Sequence, residues 1–105
     1  MRDRKNVILI LFDVPVGSRS ERKEYTLFRK NLIREGYVRL QKSVYVKLLR
    51  NEKSLQGEME SVKGFLPETG EVTVIPLPMG VFRGMETLLG PAFDMPLFAE
   101  DIVYL

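Results

Sequence analysis

One carboxylate closes an unbroken apolar run: Val7-Ile8-Leu9-Ile10-Leu11-Phe12 ends in Asp13, and Val14-Pro15-Val16-Gly17 turns the chain away. A run of β-branched and aromatic residues between a polar start and a Pro/Gly turn reads as a central strand buried on both sides. Such a strand has no place for an ionised group inside it. The acid therefore stands at its carboxyl end, where open α/β layers keep their ligand chemistry, and Asp13 is the first candidate for chemistry. The chain has no His and no Cys, which excludes Ser-His and Cys-His catalysis, imidazole and thiolate metal sites, and disulfides. Hydrolysis would have to rest on carboxylates, hydroxyls, Lys or an oxygen-seeking cation. An Asp before Val14-Pro15 is also a good turn former, its carboxylate accepting backbone N–H groups, and that role does not exclude a metal. The other acids considered, Glu21, Glu24, Asp94 and Asp101, show no converging spacing.

The net charge of +2 hides an asymmetry: residues 1–50 carry thirteen Lys/Arg against five Asp/Glu, a charge of +8, and the remainder carries −6. One half is an anion-seeking surface. Arg19, Arg22, Lys23, Arg29, Lys30 and Arg34 fall on one broad side of a predicted helix, and Arg39 and Lys42 on the strand after it. These residues would contact backbone phosphates, giving salt-sensitive, sequence-tolerant binding rather than base readout. A solvated helix face is the plainer alternative.

The elements that must position these groups follow in order. Ser18 and Glu21 form an S-x-x-E capping box, Tyr25, Phe28 and Leu32 make one apolar stripe, and Gly36 stops the helix. Residues 37–49 alternate with a phase slip at Gln41 to Ser43, predicting a bent or bulged strand, or two strands meeting at a sharp corner. Asn51 can cap a second helix through Leu55, Met59, Val62 and Phe65, with Gly57 and Gly64 weakening it. Pro67 to Gly70 is a turn, Val72–Leu77 a strand ending near Pro76, Met79–Leu89 a short helix, and Asp101–Leu105 a last strand. With 105 residues, 45% of them hydrophobic, the length predicts one domain, 1–105. The order predicts an α+β, ferredoxin-like βαββαβ sandwich with an extra short C-terminal strand and both long helices on one sheet face. The other face would be left apolar and bare, which a homodimer would cover. Tyr37 and Tyr45, on a half-exposed strand, are open to base stacking. The six-residue run before Asp13 is too short to span a membrane and has no small-residue cleavage site, so no membrane association and a cytoplasmic location are expected.

The ordered set Leu11-Phe12-Asp13-Val14-Pro15, Glu21-Arg22-Lys23, Phe28-Arg29-Lys30, Glu35-Gly36-Tyr37 and Gln41-x-Ser43-Val44-Tyr45 resembles the CRISPR-associated protein two family, most closely its type II branch. The resemblance is dense over residues 7–50 and looser through Thr73 to Leu77. It implies a bacterial, cytoplasmic spacer-acquisition protein: a ferredoxin-like homodimer that bridges the CRISPR integrase and lies along a duplex DNA prespacer. It also implies metal-dependent cleavage of single-stranded RNA or double-stranded DNA in some members, with Asp13 as the catalytic, Mg²⁺-binding acid paired across the dimer axis. Arg19, Arg22 and Arg29 would approach the phosphates. Three functions stay open here: an endonuclease using Asp13, a non-catalytic nucleic-acid scaffold, and a small-molecule regulatory module. The basic half and the lack of a Gly-rich ligand loop speak against the third.

Overall fold

The computed structural model describes residues 6–50 and 53–91. Four strands form: β1 (Val7–Asp13), β2 (Val38–Gln41), β3 (Val44–Leu48) and β4 (Glu71–Leu77). Two helices connect strands, α1 (Arg19–Arg34) and α2 (Lys53–Lys63), and a third, α3 (Met79–Arg83), follows β4. The sheet order is β2-β3-β1-β4 with every neighbouring pair antiparallel, which is the α+β, ferredoxin-like arrangement. The C-terminal strand expected at 101–105 and the Asn51 cap lie outside the described residues.

Local chemistry explains the element ends. Ser18 Oγ accepts the Glu21 N–H at 3.1 Å, and Glu21 Oε1 accepts the Ser18 N–H at 3.0 Å, the reciprocal capping box that starts α1. At the other end Gly36 takes a φ of +102°. Gly36 N–H donates to Ile33 O and Tyr37 N–H to Leu32 O, each at 3.0 Å, a Schellman closure that only a residue tolerant of positive φ completes cheaply. The stretch 37–49 is two strands. A turn at Lys42-Ser43 folds β2 onto β3 where the pattern breaks phase, and the register slips just before it, between Arg39 and Gln41. Pro76 lies inside β4, one residue short of its end, and is tolerated because β4 is an edge strand. The last helix is shorter than its spacing suggests: it ends at Arg83 with Gly84 as C-cap, because glycine is a poor residue for a helix interior.

Alternation along β1 divides the core in two. Ile8, Ile10 and Phe12 pack with Phe28 and Leu32 of α1, Val62 of α2, and Tyr37, Tyr45 and Leu49. Val7 and Leu9 face the other way with Val46 and with Phe82 of α3. On that second face Leu11, Val38, Leu40, Val44, Leu48, Ile75 and Leu77 are only partly buried. It is the open face expected from the pattern, covered in part by α3. No helix among the described residues is long and apolar enough to cross a membrane.

Two glycines predict opposite outcomes for one substitution. A Cβ on Gly70 would meet the Asp13 carbonyl oxygen at 2.5 Å, at a φ of +103°, so Gly70→Ala should lower the unfolding free energy by about 2 kcal/mol or more. Gly57, inside α2, has nothing within 4 Å of such a Cβ, so Gly57→Ala should raise it by about 0.5–1 kcal/mol. Urea denaturation of the two variants checks both signs.

Candidate nucleic-acid site

Asp13 is the last residue of β1 and is exposed, whereas Phe12 before it is 6% exposed. Alternation puts its side chain on the side of Leu9 and Leu11, the open face. Its Cα partner on β4 is Glu71. Residues directly opposite in an antiparallel pair have their Cβ atoms roughly 5 Å apart, so a second carboxylate stands beside the first. Both line a hollow of about 290 Å³ with Ser43 and Thr73. The exit of the chain from β1 is held from below, because Gly70 packs against the backbone of Asp13 and Val14. Oxygen-bearing side chains alone make up the polar lining, a donor set that suits a hard cation such as Mg²⁺. Among the described residues no group of three or more carboxylates gathers anywhere, so most of such an ion's shell would be left to water and substrate oxygens. Glu71 escaped the sequence reading because it opens a strand whose pairing register no local pattern reveals.

The basic residues divide into separate groups. Arg19, Arg22, Lys23 and Lys30 line one shallow groove of about 980 Å³ along α1, with Ser20, Thr26 and Leu27. Arg22 is steadied there by donating to the Val16 and Gly17 carbonyl oxygens at 3.3 and 3.5 Å. Arg34 turns to the Asn31 side chain. Lys42 sits in the hairpin turn and is exposed. Arg39, exposed on β2, is the Cα partner of Tyr45, and Arg29 lies on α1 one turn after Tyr25. The Asp13 hollow and the α1 groove share no lining residue.

Lys47 of β3 is taken up inside the fold. Its Nζ donates to Glu58 Oε2 at 2.6 Å and to the Glu35 carbonyl at 2.7 Å, joining β3, α2 and the C-terminus of α1. The Tyr37 hydroxyl donates to Glu58 Oε1 at 3.1 Å, and the Lys47 ammonium lies 5.5 Å from the Tyr37 ring centroid. Tyr37 and Tyr45 are 3% and 0% exposed. Neither can stack on a base, contrary to what the half-exposed strand suggested, because both face the helix-covered side.

Burial, then the Glu58 charge and hydrogen bond, and then Glu35 push the Tyr37 hydroxyl far above its ordinary pKa of 10.0. Burial also raises Tyr45. For each, the unfolded chain ionises first as pH rises, so the stabilisation is present below about pH 10 and falls above it. For Tyr37 the expected loss is about 1.4 kcal/mol per pH unit once the unfolded tyrosine has ionised. Tyr37→Phe should flatten that slope by about one proton, and Tyr45→Phe should flatten it in the same direction, in denaturation curves taken from pH 9 to 12.

Residues 6–85 match the family described as CRISPR associated protein Cas2. A protein of Ligilactobacillus salivarius named CRISPR-associated endoribonuclease Cas2 is 43% identical over 83 residues, 79% of this chain and 82% of that protein. Proteins of the same name from Acidovorax ebreus and Treponema denticola are 37% and 34% identical. The first of these alignments covers 91% of this chain and 90% of the relative, the second 79% and 82%.

Proposed function

This chain belongs to the CRISPR associated protein Cas2 family, and from that premise we propose that it hydrolyses nucleic-acid phosphodiesters at Asp13 while basic residues of α1 and the β2–β3 hairpin hold the backbone. The name of the relatives supports RNA as one substrate, single-stranded so that its backbone can enter the hollow; duplex DNA is the other. The setting we infer is CRISPR spacer acquisition, with a homodimer of this chain lying along a duplex prespacer and bridging the CRISPR integrase.

The observation that carries the catalytic reading is the hollow at the end of β1. Asp13 stands there exposed and beside Glu71 on a rigid strand pair, as a positioned oxygen ligand must. When bound, Mg²⁺ would supply an activated water and offset charge developing at the phosphorus. Asp13 would hold the ion, with Glu71 neighbouring it and Ser43 and Thr73 offering hydroxyls toward its waters. The half-buried apolar residues of the open face, with exposed Val81 and Met85 beside them, support a dimer in which two such faces stack. Asp13 lies on that same face, so stacking would bring it toward its counterpart across a two-fold axis.

One observation favours the second reading, a scaffold without turnover. The α1 groove is separate from the Asp13 hollow, so duplex DNA can be held without any phosphate reaching the acid.

Purified protein with labelled single-stranded RNA and duplex DNA, in Mg²⁺ or EDTA, decides between them. Cutting that needs Mg²⁺ and falls to the EDTA level in Asp13→Ala, with binding intact, is the expected result. Tight binding without cutting, or cutting unchanged by the substitution, would establish the scaffold.

A further inference from the structure

Tyr45 carries a polar atom that none of the roles above employs. Its side chain is fully enclosed, and its hydroxyl oxygen has no hydrogen-bond partner. A buried hydroxyl left in that state is costly unless something completes it. Its neighbours place it. The Phe12 ring centroid is 5.7 Å from that of Tyr45 and 6.1 Å from that of Tyr25, so two phenols flank one core ring. Arg29 follows Tyr25 by one helical turn on the same face of α1. Arg39 is the cross-strand partner of Tyr45, with its side chain on the same sheet face. The helix and the edge strand thus each bring a guanidinium close enough to act on the hydroxyl. Among the described residues neither has a carboxylate partner. Burial raises the Tyr45 hydroxyl pKa while Arg29 and then Arg39 act against it, so at neutral pH it keeps a proton to donate.

We propose that Arg29, Arg39 and the Tyr45 hydroxyl form a subsite for one backbone phosphate, where β2 emerges beside α1 and on the opposite side of the sheet from Asp13. This rests on the nucleic-acid reading above and adds a defined anchor to it. With the phosphate bound, the Tyr45 oxygen accepts one N–H of Arg29 and the hydroxyl turns its own proton toward a phosphate oxygen. Arg39 is exposed and Arg29 half-buried, so the anion arrives from solvent and a shift of the Arg29 side chain admits it to the hydroxyl. Two planar forks and a hydroxyl offer more donors than the two oxygens of a carboxylate can use, and they suit a phosphodiester. The same helix carries the groove of Arg19, Arg22, Lys23 and Lys30, which would continue the backbone track.

Fluorescence anisotropy of a labelled DNA duplex across a KCl series tests it, with wild type, Arg29→Ala, Arg39→Ala, their double variant and Tyr45→Phe. Each phosphate neutralised adds about 0.9 to the salt slope. If both guanidiniums serve one phosphate, the double variant loses a slope of about one. A loss near two would mean separate phosphates and would overturn the subsite. Tyr45→Phe should weaken binding about tenfold with the slope unchanged; wild-type affinity would overturn it. Should Tyr45→Phe melt well below wild type, Arg39→Ala decides alone, since its side chain lies outside the core, and unchanged binding there overturns the proposal. Silent variants in a salt-sensitive wild type defeat the subsite only, whereas a wild type with no salt-sensitive binding defeats the nucleic-acid reading with it. Inorganic phosphate and polyglutamate, at matched charge, should compete more weakly than unlabelled duplex. Equal competition by either would reassign the pair to a free ion or to an acidic protein partner.

Discussion

Strand β1 is buried on both faces, and the rest of the structure answers to that constraint. Ile8 and Ile10 are fully enclosed on one side, and Val7 fully and Leu9 nearly so on the other. Covering the first side takes both long helices, through Phe28, Leu32 and Val62. Covering the second falls to Phe82 of the short α3, which reaches only part of it. A strand so enclosed can carry a charge only where it leaves the sheet. Asp13 stands at that point, pinned by Gly70 beneath its backbone and flanked by Glu71.

The two faces of the sheet then acquire different chemistry. The open face holds Asp13, Glu71 and an apolar surface; the helix-covered side holds cations along α1 and beside Tyr45. The proposed binding and cutting surfaces therefore lie apart rather than in one cleft. Not every cation is available for an external anion. Lys47 is tied to Glu58 and to the C-terminal carbonyl of α1, where its charge also complements the helix dipole. It holds α2 to the sheet.

Much of the fold was legible in local patterns, for identifiable reasons. The capping box at Ser18 and Glu21, the stop at Gly36 and the phase slip near Gln41 each act over a few residues, and each appears where the pattern put it. Helix ends near Gly64 and Gly84 were less legible, because a spacing of apolar residues continues past the point where backbone hydrogen bonds stop. The site was legible only in part. Asp13 announces itself by interrupting an apolar run, and the basic residues announce themselves by number. Glu71 does not, since its nearness to Asp13 depends on the pairing of strands far apart in the chain.

By itself, then, the sequence determined the elements, the family and the residue types that could act, because helix periodicity, strand alternation, caps and turns are short-range effects written in neighbouring residues. Only the tertiary structure decided which of those residues meet. It placed Asp13 and the α1 cations on opposite sides, enclosed Tyr37 and Tyr45, drew Lys47 inward, and set Arg39 across from a hydroxyl without a partner. The physical reason is register: the face on which a side chain lies, and its neighbour on the next strand, follow from long-range pairing and the packing that selects it.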